Sequence, residues 1–330
     1  MFKVLAVLAP LVLAGCASAP VAPPNDPVTL RVNVFRGASN LPIYMAQEKG
    51  YFARRGITTQ MQFTPNSSEQ RAGLAAGRFD IAHAAVDNAV AMIEVAKADA
   101  VIVAGGDGGM NELLVRPEIQ KVADLRGRTY VVDAPNTAYA LIGRKILKDA
   151  GLKEGQDYQL NPLGGSEART KSMDTPAGAA TVLNPPWNFL AKERGAKSLG
   201  TTRELFGPYQ AQGVFVMRPW AKTNASALER YLAAYIEGCQ AAQNPAEREL
   251  ALKVLMRELK LDARNAELTY KELTSPGHGL SKDCAFDMAG FQNVLALRAE
   301  MEGQWGGKPP AADKFIDLSL YQRARAHAKP

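Results

Sequence analysis

Cysteine and histidine are both scarce in this chain of 330 residues, at three each. His83, His278 and His327 lie far apart and none stands at zinc-ligand spacing, so no metal centre is expected, and nothing calls for a cofactor. Cys239 and Cys284 share the C-terminal region, where a disulfide in an exported chain and two buried thiols are equally open readings. Beyond the first line there is no long apolar run, and no transmembrane helix is expected. The charge excess is modest, +6, and scattered over sites such as Arg54-Arg55, Arg126/Arg128 and Arg323/Arg325. No basic stripe interleaved with aromatics is present, which argues against nucleic acid as a partner. Catalytic signatures are weak as well. Gly105-Gly106-Asp107-Gly108-Gly109 is followed by no Gly-Lys-Ser/Thr, and Gly164-Gly165-Ser166 lacks the Gly-x-Ser-x-Gly frame of a nucleophile elbow. The first of these reads as a loop whose backbone passes close to a ligand or a hinge.

What the chain does have is an informative start. Lys3 is followed by an apolar run from Val4 to Leu13, far shorter than the roughly 20 residues a spanning helix needs, so residues 1–15 read as a signal peptide. Leu13-Ala14-Gly15-Cys16 is similar to the lipobox of bacterial lipoproteins, in which the cysteine becomes the acylated N-terminus. That implies lipidation at Cys16 and a membrane tether. Residues 16–27 hold four prolines among small polar residues and suit an extended spacer.

From Val28 onward, strand and helix patterns alternate. Strand-like runs at Leu30–Phe35, Ile57–Phe63, Ile81–Ala84 and Ala100–Ala104 are each followed by a polar cap or turn. The series restarts at Thr129–Asp133, with further strands at Tyr158–Leu163, Ala179–Leu183 and Val214–Met217; helices dominate from Thr223. This is the pattern of an α/β protein with mostly parallel, doubly wound sheets. Two lobes are expected, the second inserted into the first: 28–115 and 216–330 for lobe 1, 116–215 for lobe 2.

In such sheets ligands bind where strand ends lead into helix N-termini. The loops at that position carry Ser39-Asn40, Asn66-Ser67, Asp87-Asn88, Asn136-Thr137 and Asn184. Taken singly each is an ordinary helix cap; together they would bring several free N–H groups to one cleft and suit an anionic or strongly polar group. Tyr44, His83, Trp187 and Tyr209 lie close by and read either as flat walls or as core. Asp107 reads as a turn former or a hydrogen-bond acceptor for the ligand. With Asp87 and Asp133, and with no arginine evident in the first-lobe loops, it leans toward a neutral, zwitterionic or nitrogen-bearing solute. The helix ends lean the other way, and ligand charge stays open.

Several motifs carry a resemblance over almost the whole chain after the spacer. Leu41-Pro42-Ile43-Tyr44 with Ala46-Gln47-Glu48-Lys49-Gly50-Tyr51-Phe52 resembles the opening of the nitrate/sulfonate/taurine and thiamine-pyrimidine-precursor (NMT1/THI5-like) group of ABC-transporter substrate-binding proteins. So do Gly73 to Ala82, Val122 to Arg128, Gly207-Pro208-Tyr209-Gln210 and Asp317-Leu318-Ser319. The resemblance implies a type II periplasmic-binding-protein fold with a two-stranded hinge. It implies a non-catalytic, monomeric receptor in the periplasm or at the cell surface, tethered by lipid, that closes on a small solute and delivers it to an ABC permease in the inner membrane. Its ligand-binding positions map onto Asn40, Tyr44, Asn66, Ser67, His83, Asp87, Asn88, Asp107, Asn136, Thr137, Asn184 and Trp187. Alternatives are a ligand sensor for a membrane kinase and a pyrimidine-synthase-like enzyme on the same fold.

Overall fold

The computed structural model describes residues 26–328. The expected signal peptide, the acylation site Cys16 and residues 16–25 of the spacer lie outside the described residues.

Among the described residues, ten strands form two five-stranded sheets. The strands are β1 (Val28–Val34), β2 (Ile57–Phe63), β3 (Ile81–Ala85), β4 (Ala100–Ala104), β5 (Glu112–Val115), β6 (Arg128–Val132), β7 (Tyr158–Pro162), β8 (Ala180–Leu183), β9 (Lys197–Thr201) and β10 (Gln212–Met217). The first seven helices are α1 (Leu41–Glu48), α2 (Ser67–Ala75), α3 (Asp87–Glu94), α4 (Ala138–Asp149), α5 (Ser166–Ser172), α6 (Trp187–Glu193) and α7 (Thr202–Phe206). Then come α8 (Arg218–Thr223), α9 (Ala225–Gln243), α10 (Arg248–Leu259), α11 (Ala263–Leu273), α12 (Met288–Glu302) and α13 (Ser319–His327). Among the described residues no helix is long and apolar enough to cross a membrane.

The first sheet runs β2-β1-β3-β10-β4 and the second β7-β6-β8-β5-β9. Parallel pairing holds for β1 with β2 and β3, and for β6 with β7 and β8. Each sheet is mostly parallel but mixed, with four strands running one way and one against them. β10 runs antiparallel to both β3 and β4, and β5 antiparallel to both β8 and β9. Both exceptions are strands by which the chain enters a sheet from the other one, so they arrive from the opposite direction. By strand membership β5 belongs to the second sheet and β10 to the first, and the chain passes between sheets at 105–111 and 202–211. These passages touch: the Ala211 N–H donates to the Asp107 carbonyl at 3.1 Å.

Two glycines are dictated by close approach. A Cβ on Gly238 of α9 would stand 2.0 Å from the Pro42 carbonyl oxygen, so its absence lets α9 lie directly on α1. A Cβ on Gly105 would stand 2.2 Å from the Ala285 carbonyl oxygen. The glycine-rich passage is therefore threaded past the C-terminal segment. Cys239 on α9 is disulfide-bonded to Cys284 in that segment, with their Cα atoms 5.9 Å apart.

The apolar core of the first sheet gathers Val32, Val34, Ile43, Leu228 and Ile236 between strands, α1 and α9. A second cluster is continuous across the molecule, from Ile102 and Phe215 through Phe291 and Phe315 to Tyr130, Val132 and Leu141. Helix α12 supplies the middle of that cluster and packs on α4, and its Asn293 donates to the carbonyls of Phe206 and Pro208 in the second chain passage.

A candidate solute-binding site between the sheets

The strand ends of the two sheets face one another around a cavity of about 50 Å3, several times the roughly 10–15 Å3 that one water needs. From the first side it is lined by Phe35, Arg36, Ser39, Asn40, Ser67 and Asn88, and from the second by Asp133, Thr137, Tyr139, Ser166, Arg169 and Asn184. Gln212 at the start of β10 closes the back. The mouth is bridged by hydrogen bonds across the cleft. Ala38 N–H donates to the Pro185 carbonyl at 3.2 Å, Trp187 Nε1–H to the Arg36 carbonyl at 2.9 Å, and Gly165 N–H to the Pro65 carbonyl at 2.8 Å.

Each helix N-terminus reaches this site differently. At α2, Asn66 accepts from the Glu69 N–H at 2.8 Å, and the Ser67 N–H donates to both oxygens of Asp133 at 3.2 and 3.1 Å. That end is capped from within and, by Asp133, from the opposite lobe. At α4 the arrangement is open. Thr137 stands in extended conformation but its hydroxyl donates backward to the Ala134 carbonyl at 2.9 Å, so no side chain caps the first turn. Uncapped N–H groups at a helix start favour negative charge.

Arg169 of α5 adds a full charge. It is 1% exposed, and among the described residues it makes no ion pair. Its donors are held by the carbonyls of Gly164 and Val182, by Thr181 Oγ1 at 3.0 Å and by Ser166 Oγ at 2.9 Å. The guanidinium lies 5.5 Å from the Tyr139 ring centroid. Burial lowers its pKa, against the opposing influence of Asp133.

Of the twelve positions expected to meet a ligand, Asn40, Ser67, Asn88, Thr137 and Asn184 line the cavity; the other seven are not among the lining residues. Asn66 is engaged as the α2 cap. Tyr44 is buried in the first core. His83 is also buried, with Nε2 2.8 Å from Tyr231 Oη and its ring edge-on to Tyr235, and burial pushes its pKa down to about 3. Asp87 and Asn136 are both taken by Arg298 of α12. Trp187 bridges the mouth through its indole N–H, and Asp107 sits behind Ser39, whose hydroxyl donates to it at 2.8 Å. Arg36 and Arg169 were not singled out by sequence reading; both line the cavity, with the Arg36 guanidinium lying 4.2 Å over the Phe63 ring. Among the described residues no group of three His, Cys, Asp or Glu side chains gathers as a metal would require.

The NMT1-like family model matches residues 23–256 of this sequence. The chain belongs to the NMT1-like family. Solved structures share its fold at low sequence identity. The periplasmic nitrate-binding protein NrtA of Synechocystis is 15% identical, with a TM-score of 0.76 over 92% of this chain and 89% of that one. The alkanesulfonate-binding protein SsuA of Xanthomonas axonopodis, solved with MOPS, is 17% identical, with a TM-score of 0.69 over 91% and 98%. The desulfurization enzyme DSZB is 13% identical, with a TM-score of 0.62 over 91% and 99%. The two-lobed periplasmic-binding fold is thus shared by binding proteins and by an enzyme. No curated protein matches the sequence.

Proposed function

We propose that this NMT1-like protein is an extracytoplasmic solute receptor for an ABC importer, and that its solute carries an anionic head. The observation that carries this reading is Arg169: a buried guanidinium without a carboxylate partner, lining a cavity beside the uncapped start of α4. A buried cation left unpaired costs several kcal/mol, and an anionic solute entering the cavity would offset that cost. The lining comes from both sides, so the solute gains its full set of contacts only when the lobes are together, and binding draws the open–closed equilibrium toward closure. The lobes in this reading are 28–115 with 216–330, and 116–215, adjusted so that each strand stays with its own sheet. Asn40, Ser67, Asn88, Thr137 and Asn184 orient the solute, and Arg169 holds its charge. The family resemblance and the apolar start support export, acylation at Cys16, residence in the periplasm or at the cell surface, and delivery of a monomeric receptor's cargo to a permease.

The nitrate- and sulfonate-binding relatives in fold lend the anionic reading support. A sensor would bind the same solute but signal to a kinase, and an enzyme would turn it over; in this reading the solute leaves the site unchanged. The test is thermal unfolding of protein stripped of solute by unfolding and refolding, screened against nitrate, sulfonates and carboxylates. At a hundred times its dissociation constant a true solute stabilises the fold by about 2.7 kcal/mol, a shift of a few degrees. Arg169→Ala removes that shift. Silence across every anion, or shifts that survive Arg169→Ala, overturns the reading.

A further inference from the structure

We infer that Asp107 is a positioning residue for recognition: it fixes Ser39 as a hydrogen-bond acceptor, so the first-side wall of the cavity receives an N–H or O–H donor on the solute. The inference rests on the receptor reading above and deepens it, because it gives the end of the solute opposite the anionic head.

Ser39 lines the cavity and Asp107 does not. The Ser39 hydroxyl donates to Asp107 Oδ2 at 2.8 Å, in a setting where Ser39 is 8% and Asp107 2% exposed. A hydroxyl has one proton and two lone pairs. With its proton committed to a carboxylate, Ser39 has only acceptor capacity left for the cavity. Asp107 cannot swing away to release it. Its Oδ1 accepts from the Gly109 N–H at 3.1 Å, and its backbone carbonyl accepts from Ala211 N–H and Gln210 Nε2.

The same wall holds further free acceptors. Asn88 gives its Nδ2–H to Ser67 Oγ at 3.1 Å, leaving Oδ1 buried with no partner, and Gln212 Oε1 is likewise buried and unpartnered. Both residues line the cavity. Buried acceptors without donors cost free energy, so a solute that brings donors to this wall is favoured over one that brings a methyl group.

Three donors face the Asp107 carboxylate, the Ser39 hydroxyl and the backbone N–H groups of Gly109 and Gln212, and of these Ser39 does most to favour its charge. Among the described residues Asp107 makes no ion pair. The titratable groups acting on it or through it are His278, which favours its charge, and the tyrosines Tyr139 and Tyr235. Burial raises its pKa to about 6, so keeping the carboxylate ionised in this place costs stability. An asparagine would fill the volume without that cost. It would also invert Ser39: the fixed Gly109 N–H requires the amide oxygen, which turns the amide N–H toward Ser39 Oγ and sends the serine proton into the cavity.

The experiment is calorimetric titration of the purified protein with end-group series on one anionic head. One series is propanesulfonate, 2-hydroxyethanesulfonate and 2-aminoethanesulfonate; the other is butyrate, 3-hydroxypropionate and 3-aminopropionate. The donor-ended members should bind about tenfold or more tightly than the methyl-ended one. Asp107→Asn should reduce that preference to within about threefold. Ser39→Ala, which leaves Asp107 untouched, should do the same and guards against a folding defect in the first variant. In the sulfonate series, whose heads stay ionised throughout, the wild-type preference should shrink from pH 7.5 to pH 5 as Asp107 gains its proton, and the Asp107→Asn profile should be flat. Binding that ignores the end group, or a preference that survives both variants, overturns this inference and leaves the receptor reading standing. If no member of either series binds, the receptor reading for anions falls, and this inference with it.

Discussion

Arg298 of α12 grips Asp87 at the start of α3 through two hydrogen bonds of 2.6 Å each, with the two side chains 0% and 2% exposed. The remaining reach of the guanidinium goes to Asn136 Oδ1 at 2.7 Å, in the loop between β6 and α4. Asn136 in turn donates to Glu302 at 2.8 Å, and Glu302 accepts from Arg144 of α4 at 2.6 Å. One chain of charged and polar groups, buried at Arg298 and Asp87 and half-buried at Asn136, Glu302 and Arg144, thus joins the first sheet, α12 and the second sheet.

That chain predicts a stability defect rather than a binding defect. Burial works against the charge on Arg298, but Asp87 more than offsets it and the guanidinium pKa is raised. Removing one partner of a buried pair leaves the other uncompensated, at a cost of about 3–5 kcal/mol. Asp87→Ala should lower the midpoint of thermal unfolding by about 6 °C or more, and Arg298→Ala should match it. Replacing both together, as Asp87→Leu with Arg298→Met, should cost less than either alone. Additive losses in the double variant would show that the two residues do not act as a pair.

The loops that line the cavity were legible in the sequence because helix starts announce themselves by small polar residues. Asn40, Ser67, Asn88, Thr137 and Asn184 all reached the cavity. Asp87 and Asn136 look the same in sequence, yet their partner Arg298 lies 211 and 162 positions away, and nothing local shows that it closes over them. Arg169 escaped notice for the converse reason. It sits in Ser-Glu-Ala-Arg-Thr-Lys-Ser, a polar stretch with no apolar stripe, which reads as a solvated helix although this one arginine is buried. Strand direction was the other gap: alternating apolar residues mark β5 or β10 as strands but do not say which way the chain enters the sheet.

Asp133 predicts a change in closure. Its carboxylate lies on the second side and takes the Ser67 N–H of the first, at 3.1 and 3.2 Å. A hydrogen bond to a charged group contributes about 1.5–3 kcal/mol, enough to move a two-state equilibrium by tenfold or more. Asp133→Ala, free of solute, should therefore show a larger radius of gyration in small-angle scattering than wild type. Equal radii in the two proteins would mean that this contact does not hold the lobes together.

The disulfide predicts a redox-dependent stability. Cys239 and Cys284 are 45 positions apart, so the bond closes a long loop. Chain-entropy reasoning puts its stabilisation at about 4 kcal/mol, and typical measured values at about 2–4. Reductant should lower the unfolding midpoint of the wild type and leave Cys239→Ala/Cys284→Ala, which starts from the lower value, unchanged. Thiol titration of the denatured, unreduced protein should find neither cysteine free; two free thiols would remove the prediction.

His83 predicts the sign of a pH effect. Its imidazole is enclosed by Tyr231 and Tyr235, and burial takes its pKa from the ordinary 6.5 to about 3. Between those values the unfolded chain binds a proton that the folded one refuses, so unfolding is favoured as pH falls. The contribution is fully present above pH 6.5 and is lost progressively on acidification. Asp107 works in the opposite sense, because its folded value of about 6 lies above the ordinary 3.8, and over that interval the folded state holds the extra proton. The two nearly cancel in the wild type between pH 4 and 6, so the comparison that isolates His83 is against a variant. His83→Gln should lose its share of the slope, making wild type minus variant about 1.4 kcal/mol per pH unit over that range. Parallel stability profiles for the two proteins would mean that His83 takes up its proton in the folded state as readily as in the unfolded chain.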